Sequence, residues 1–205
     1  MALKSDQVAK LLMVGAQQGV EDPLVVVPTP DLDDVRKSGE AGIDLRLGSW
    51  FLVLRQARLS HIPIKGSASE AQLAKSHFVP FGSPFYVHPQ DFVLGITLEW
   101  LRMPSDLMGY VVGKSSWGRR GLIIATATGV HPGYAGCLTL ELTNVGKLPV
   151  EVQPGLRICQ LFLHRVERPA SSTRAPGSFG GLRKPRIGEV RVDEFAAMLS
   201  RADET

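Results

Sequence analysis

The 205-residue chain has little cysteine and no long apolar run. Its two cysteines, Cys137 and Cys159, each lie inside an apolar segment, which excludes a disulfide framework and a four-cysteine zinc site. No apolar stretch approaches the roughly 18 residues of a membrane span. The N-terminus, with Lys4, Asp6 and Lys10, lacks the apolar core of a signal peptide. We therefore expect a reduced, soluble protein of the cytoplasm.

Signatures of metal ligation and nucleophilic catalysis are also absent. The five histidines show no metal-ligand spacing, and the zinc deaminase pattern H-x-E followed by P-C-x-x-C does not occur. The nucleophile elbow G-x-S-x-G is missing as well. The sequence therefore predicts chemistry without zinc.

Turn-forming residues are abundant, with 21 glycines and 14 prolines. A chain of 44% hydrophobic and 21% charged residues is typical of a folded domain. Because glycine and proline end regular elements, this excess favours short strands joined by turns over a helical bundle. The length fits one domain of ordinary size with a terminal extension.

Charge is distributed unevenly along the chain. The formal net charge is +3, but residues 165–191 carry seven basic and two acidic residues, which is +5 for this segment alone. Such a basic segment, rich in Gly, Pro and Ser, is either a mobile arm that meets an anionic partner or a solvated tail. We predict a folded domain over residues 1–168 and a basic arm with a short helix at 192–201 over residues 169–205.

Alternating apolar residues predict a mainly β fold. Residues 43–47 alternate strictly, with three apolar side chains on one face and Asp44 and Arg46 on the other. The predicted strands are 25–27, 43–47, 50–54, 85–88, 92–101, 108–112, 122–126, 137–143, 150–152 and 157–166. Many short strands without helices between them indicate an antiparallel sandwich, jelly roll or barrel.

Two further segments complete this organisation. A helix is predicted over residues 5–14, capped by Ser5 or Asp6. Residues 60–75 form a polar insertion between strands.

A basic segment rich in hydroxyl groups reads Gly-Lys-Ser-Ser-Trp-Gly-Arg-Arg-Gly. Ser115 or Ser116 can cap a single helical turn, and Gly121 suits the left-handed residue that ends it. Lys114 and Arg119 would then join two hydroxyls and free backbone N–H groups in an anion site. The glycine spacing is not that of a Walker loop. A capped turn with basic surface side chains is the alternative.

Glu141 lies between two threonines in the predicted strand 137–143. By the period of a strand, Thr139, Glu141 and Thr143 share one face and three leucines share the other. The glutamate is therefore either an ordinary solvent-facing residue or the acid on the floor of a polar pocket. Periodicity does not separate these alternatives.

Two more polar positions are candidates for binding. The turn that starts at His131 could present Tyr134 as a stacking surface and His131 as a polar contact, or it could be only a turn. Gln160, in the middle of a strand, must find hydrogen-bond partners in the backbone or in a ligand.

Taken together and in this order, these segments resemble the dCTP deaminase branch of the dUTPase-like superfamily. The matching segments are 42–48, 86–89, 113–122, 132–137, 140–142, 144–149 and 154–161. Each segment is common, but the ordered set is specific, and it covers most of residues 42–166.

The resemblance implies a homotrimer of distorted jelly-roll subunits in the dUTPase-like β-barrel class, with active sites between neighbouring chains. An N-terminal helix precedes each barrel, and an arm with a short helix follows it. Members of the family bind a deoxycytidine triphosphate with Mg²⁺ on its phosphates and release ammonia without zinc. We therefore expect a nucleoside triphosphate as the partner, and neither a membrane nor a nucleic acid.

The resemblance also assigns roles to residues. Glu141 would be the general acid/base that activates water for attack at cytosine C4, while Ser115 and Arg119 order water and stabilise charge. Tyr134 would pack on the nucleoside, and the backbone from Thr139 to Glu141 would read the base. The full set of expected substrate-binding residues is Lys114, Ser116, Trp117, Gly118, Ala127, His131, Tyr134, Thr139, Leu140 and Gln160.

The position of His131 departs from the family pattern. His131 stands where the family usually has an aspartate that contacts the sugar 3′-hydroxyl and, in dUTPases and bifunctional members, supports pyrophosphate hydrolysis. The first hypothesis is zinc-independent deamination of dCTP to dUTP and ammonia. A dUTPase-type or bifunctional diphosphatase is disfavoured, because an imidazole is a poor substitute for a carboxylate that activates water.

A third hypothesis is a nucleotide-binding regulatory homologue without catalysis, or a nucleic-acid binder that uses the basic arm. Nucleic acid is disfavoured because the basic residues of the arm lack interleaved aromatic residues other than Phe179.

Overall fold

The computed structural model describes residues 2–17, 19–56, 59–62, 69–125, 129–167 and 181–188. Its helices are α1 (Ser5–Gly15), α2 (Leu32–Lys37), α3 (Glu70–Leu73) and α4 (Ser115–Gly118). Its strands are β1 (Val25–Val27), β2 (Gly42–Arg46), β3 (Trp50–Leu54), β4 (Ala74–Phe78), β5 (Phe85–Val87), β6 (Phe92–Arg102), β7 (Leu107–Gly113), β8 (Leu122–Ile124), β9 (Gly129–Val130), β10 (Ala135–Asn144), β11 (Val150–Val152) and β12 (Arg157–Arg165). The predicted helix 192–201 lies outside the described residues.

Antiparallel sheets build the molecule. In the described parts of the chain, the larger sheet has the order β4-β3-β6-β10-β8, with β1 also paired to β6, and the smaller sheet has the order β2-β12-β7-β9. A third pair joins β11 to β5. The apolar side chains of Ile43, Leu45 and Leu47 are 0% exposed in the core between the sheets. The predicted mainly β class is therefore confirmed.

The ten strands predicted from alternation are all present, with ends within two residues of those expected. Two further strands, β4 and β9, were not predicted. β4 falls partly in the segment expected to be a polar insertion, and most of its side chains are exposed. As the outermost strand of its sheet it carries no apolar alternation that the sequence could show.

The expectation that no helices separate the early strands is wrong. α2 lies between β1 and β2, and Asp31 caps it by accepting hydrogen bonds from the N–H groups of Asp33 and Asp34. α3 likewise precedes β4. These helices have six and four residues and each buries one side chain, so they leave no apolar periodicity.

The start of α1 also differs from the prediction. Lys4 rather than Ser5 or Asp6 is the capping residue, and its backbone N–H donates to Oε1 of Gln7 at 3.1 Å. Ser5 is buried inside the helix and its hydroxyl points to the carbonyl of Arg36. The hydroxyl of Ser5 therefore makes a tertiary contact instead of capping the helix.

The pairing of β10 with β6 contains an irregularity that positions the second half of β10. Cys137 pairs with Trp100 whereas Thr139 pairs with Ile96, so the register shifts between them. The hydroxyl of Thr97 fills the gap in the ladder, because it accepts from the N–H of Leu138 and donates to the carbonyl of Glu99, both at 2.8 Å.

The carboxylate of Glu99 connects this irregularity to the smaller sheet. It accepts from the backbone N–H of Arg46 at 2.8 Å and from its guanidinium at 3.0 Å. Burial raises the pKa of Glu99 even though these hydrogen bonds to Arg46 oppose the shift. The two sheets are therefore joined at this point by an ion pair whose carboxylate is buried and whose guanidinium is half-buried.

The described part of the basic segment, residues 181–188, is neither a free arm nor a solvated tail. The N–H of Gly181 donates to the carbonyl of Ala135 at 2.6 Å, and the N–H of Cys137 donates to the carbonyl of Leu182 at 2.9 Å. This segment therefore packs against β10. No described helix is long and apolar enough to cross a membrane. The division of the chain at residue 168 stays a prediction.

Candidate active site

Strand β10 presents Glu141 to a cavity. Its leucines are buried, whereas Thr139, Glu141 and Thr143 are half-buried, so the predicted division of the strand into two faces is confirmed. Glu141 lines a cavity of about 350 Å³ whose wall is mostly apolar, with Thr139 and Arg186 as other polar members. The pocket alternative therefore describes Glu141 better than an open surface position.

Tyr134 forms part of the wall of the same cavity. Its hydroxyl donates to the carbonyl of Cys137 at 2.7 Å, which fixes the ring. Burial raises the pKa of Tyr134, so the phenol is neutral at physiological pH. His131, at the start of the same turn, is exposed, and its carbonyl accepts from the N–H of Tyr134 at 3.2 Å.

The backbone of β10 next to Glu141 has a defined direction. The carbonyl of Glu141 accepts from the N–H of Ala125 at 2.8 Å, just past the end of β8. Because backbone groups alternate along a strand, the N–H and carbonyl of Thr139 point to the same side of β10 as those of Glu141. Leu140 is 0% exposed, and by the same alternation its N–H and carbonyl point to β6, so neither its side chain nor its backbone is open to a ligand. Ala127 lies outside the described residues.

Helix α4 carries most of the predicted anion site. It begins at Ser115 with Lys114 as the capping residue and without a side-chain cap, so the prediction that Ser115 or Ser116 caps it is wrong. Ser115, Ser116, Gly118 and Arg119 are exposed. The predicted left-handed conformation at the end of the turn is confirmed by the φ of +89° at Gly121.

Lys114 is already paired with a carboxylate. Its Nζ lies 2.7 Å from Oδ1 of Asp44, whose other oxygen lies 3.4 Å from Nη1 of Arg157. Gln160 on β12 lies opposite Asp44 on β2, and its side-chain amide donates to the carboxylate of Glu40. These side chains form a charged cluster on the outer face of the smaller sheet.

Sequence reasoning missed Asp44 and Arg157 as members of this cluster. Alternation placed Asp44 on the polar face of its strand, but its partner Lys114 is 70 positions away in the sequence. Only the pairing of β2 and β7 with β12 brings the two together.

Trp117 belongs to the core rather than to the surface of α4. Its side chain is 8% exposed, and Nε1 donates to the carbonyl of Arg157 at 2.9 Å. The guanidinium of Arg120 lies 5.8 Å from the ring centroid. The ring of Trp117 is therefore not open to a nucleotide, and its N–H already donates to the carbonyl of Lys114 at 3.0 Å.

Within one chain the two halves of the expected site remain separate. Ser115 and Arg119 are not among the residues that line the cavity of Glu141. Among the described residues, no group of three or more His, Cys, Asp or Glu side chains could hold a metal ion.

The fold of the chain also occurs among solved structures. The chain is similar to the crystal structure of 2′-deoxycytidine 5′-triphosphate deaminase from Agrobacterium tumefaciens, with a TM-score of 0.58 and 23% identity. The match covers 81% of this chain and 46% of that chain. It shows the fold, and the jelly-roll-like architecture expected from the sequence is confirmed.

The family model described as dCTP deaminase-like matches residues 17–166, so the chain belongs to the dCTP deaminase-like family. A curated relative, the dUMP-forming dCTP deaminase of Dictyoglomus thermophilum, is 36% identical over 179 residues, which cover 84% of this chain and 90% of the relative. The dCTP deaminase of Halorubrum lacusprofundi is 41% identical over 151 residues, which cover 73% of each chain.

Proposed function

We propose that the protein hydrolyses the exocyclic amino group of dCTP, so that dCTP and water give dUTP and ammonia. The observation that carries this proposal is the half-buried Glu141 in a mostly apolar cavity of about 350 Å³. Cavities of this size hold small ligands, and the few polar groups in them fix orientation. Membership of the dCTP deaminase-like family supplies the class of substrate.

Glu141 is the proposed general acid/base. Its carboxylate takes a proton from water as the oxygen attacks C4 of cytosine, and it then delivers a proton to the departing amino group. The base is read by the backbone of Thr139, which lies beside Glu141 on β10, whereas the backbone of Leu140 points to β6. The ring of Tyr134 packs against the nucleoside, since Cys137 holds its hydroxyl in place.

The triphosphate is proposed to bind at α4. Lys114, Ser116 and Gln160 would hold it, and Trp117 and Gly118 belong to the helical turn that carries Ser116. Mg²⁺ arrives with the nucleotide, because this ion usually keeps several waters and binds through phosphates and one or two carboxylates. Asp44, beside Lys114, offers such a carboxylate, so the residues present fit an ion carried by the substrate.

We propose that the active enzyme is a homotrimer with shared sites. Ser115 and Arg119 are exposed on α4 and do not line the cavity of their own chain, so they would complete the cavity of a neighbour. Tyr110 and Val112, 40% and 49% exposed on β7, offer apolar surface for such an assembly. The protein is proposed to act in the cytoplasm, where Cys137 and Cys159 stay reduced.

The reaction is tested by measuring ammonia release and the change in ultraviolet absorbance with dCTP, CTP and dCMP. Glu141→Gln should lower kcat by about 10²- to 10⁴-fold, the usual contribution of an acid/base residue. Glu151→Gln, on the exposed side of β11, is the matched control. An active Glu141→Gln enzyme would remove this residue from the mechanism, and dCTP binding without turnover would indicate a regulatory homologue.

The uracil product is then identified, since the Dictyoglomus relative is named as dUMP-forming. Because His131 replaces the carboxylate expected to serve pyrophosphate hydrolysis, we expect dUTP to accumulate. Release of pyrophosphate from dUTP would instead favour the bifunctional alternative.

Shared sites are tested by mixing two inactive variants, Glu141→Gln and Arg119→Ala, in equal amounts before assembly. If Glu141 and Arg119 of one site come from different chains, random mixed trimers should recover about one quarter of the wild-type activity. If both come from the same chain, the mixture stays inactive.

A further inference from the structure

Residues 181–188, here called the C-terminal segment, complete the cavity of Glu141 in the same chain. Three of them, Arg186, Ile187 and Gly188, line it beside Glu141. Without these residues one side of the cavity would be open. The contacts that hold the segment in place therefore decide the shape of the cavity.

The first contact is a hydrogen bond to helix α3. Oε2 of Glu70 accepts from the N–H of Ile187 at 2.7 Å. Glu70 is the first residue of α3, and the helix start is itself fixed because Oε1 of Gln72 accepts from the N–H of Ser69 at 3.0 Å. The acceptor therefore lies on a short capped helix that belongs to the polar insertion.

The side chain of Ile187 supports this hydrogen bond. It packs against a small apolar cluster formed by Leu52, Ala74 and Leu94, which is separate from the main core. Leu94 also lines the cavity of Glu141. The hydrogen bond and the apolar contact therefore place the same residue at the cavity wall.

The second contact that anchors the segment is made by Trp50 on β3. Nζ of Lys184 lies 3.8 Å from the centroid of the indole ring, which is the geometry of a cation–π contact. The ring is steadied by Phe78, whose centroid lies 5.1 Å away. Between the two anchors, Pro185 is buried.

We infer that Glu70 and Trp50 are positioning residues that hold the C-terminal segment over the Glu141 cavity of its own chain. Neither residue is placed in contact with the reacting atoms. They act through Ile187 and Lys184, which set where Arg186 and Gly188 lie along the cavity wall. The inference rests on the proposed function for its kinetic consequence, but the docking itself is independent of catalysis.

Two measurements on the full chain test this inference: steady-state kinetics with dCTP, and the rate of tryptic cleavage after Arg186 followed by mass spectrometry. Glu70→Ala should raise KM by about three- to tenfold, with kcat nearly unchanged, as expected for the loss of one solvent-exposed hydrogen bond. The cleavage rate should rise in parallel, since it follows the population of the open segment. Glu70→Gln keeps an acceptor oxygen and should behave as wild type, as should the exposed control Glu21→Ala.

The second anchor is tested separately. Lys184→Met should raise both the KM for dCTP and the rate of tryptic cleavage by about threefold. Lys184→Arg should keep both at the wild-type value, because arginine keeps a cation over the ring. The double variant Trp50→Leu/Lys184→Met should show no larger rise in KM or cleavage rate than either single variant, because both substitutions remove the same contact.

The outcomes separate this inference from the proposed function. If dCTP is not turned over, the proposed function fails, while faster cleavage of Glu70→Ala still supports docking. If cleavage is unchanged in Glu70→Ala and Lys184→Met, the anchors do not hold the segment and the inference is wrong. If cleavage rises but KM does not, the segment docks without shaping the site, which also overturns the positioning role.

Discussion

The hydroxyl of Thr97 offers a sharp test of how β10 is placed. It is 1% exposed and takes part in two hydrogen bonds, one from the N–H of Leu138 and one to the carbonyl of Glu99. Thr97→Val keeps the shape of the side chain but removes both hydrogen bonds. The variant therefore leaves two backbone groups without partners inside the core.

The magnitude follows from the burial of these groups. Leu138 and Glu99 are 7% and 1% exposed, so water does not replace the lost partner. Each buried group left unsatisfied costs about 1–3 kcal/mol, hence about 2–6 kcal/mol for the pair. The added methyl group returns about 0.8 kcal/mol. We expect the free energy of unfolding to fall by about 1–5 kcal/mol for Thr97→Val.

Urea unfolding followed by circular dichroism measures this change, at one fixed protomer concentration because assembly contributes to stability. Thr97→Ser is the control, since it keeps the hydroxyl and should lose only about 1 kcal/mol. Because the Thr97 hydroxyl also positions β10, the valine variant should have a lower kcat/KM for dCTP than the serine variant. A valine variant as stable as the serine variant would refute the role of the hydroxyl.

Two further predictions concern charge and backbone. Arg46→Met leaves the carboxyl of Glu99 buried without its cation. Burial holds the pKa of the Glu99 carboxyl above its ordinary value of 4.5. The protonated carboxyl therefore stabilises the folded state below that pH, and this stabilisation is lost as the pH rises and the buried group must ionise. The variant should be destabilised little near pH 4 and by about 3–5 kcal/mol near pH 7 in urea unfolding; a cost independent of pH would contradict this. Gly121→Ala should lower the melting temperature more than Gly133→Ala: both have positive φ, but only at Gly121 would a Cβ meet backbone, 2.9 Å from Gly146. Equal losses would contradict the steric argument.

The strands were predictable because burial on one face imposes a period of two. Residues 43–47 and 138–143 show this directly, since their apolar positions are those found in the core. β4 and α2 were not predictable from periodicity because each has a single buried side chain. Asp31, as a capping residue before Asp33 and Asp34, is the local signal that could have located α2.

The candidate site was predictable in part. The pattern around Glu141 indicated its face of the strand, but whether that face met solvent or a cavity depended on residues 186–188, which approach from the other end of the chain. The ion pair of Lys114 with Asp44 and the cation–π contact of Lys184 with Trp50 join residues 70 and 134 positions apart. Contacts at such separations follow from sheet topology rather than from local sequence.

The hydrogen bonds from β10 to Gly181 and Leu182 have a consequence for handling the protein. Exposed strand edges act as templates on which other chains pair and aggregate. Here the chain covers residues 135–137 of β10 with its own tail. A version truncated before residue 181 would bare that stretch and, further along the sheet, would remove Ile187 from the apolar cluster of Leu52 and Leu94. Shortening the tail to aid crystallisation would therefore work against solubility.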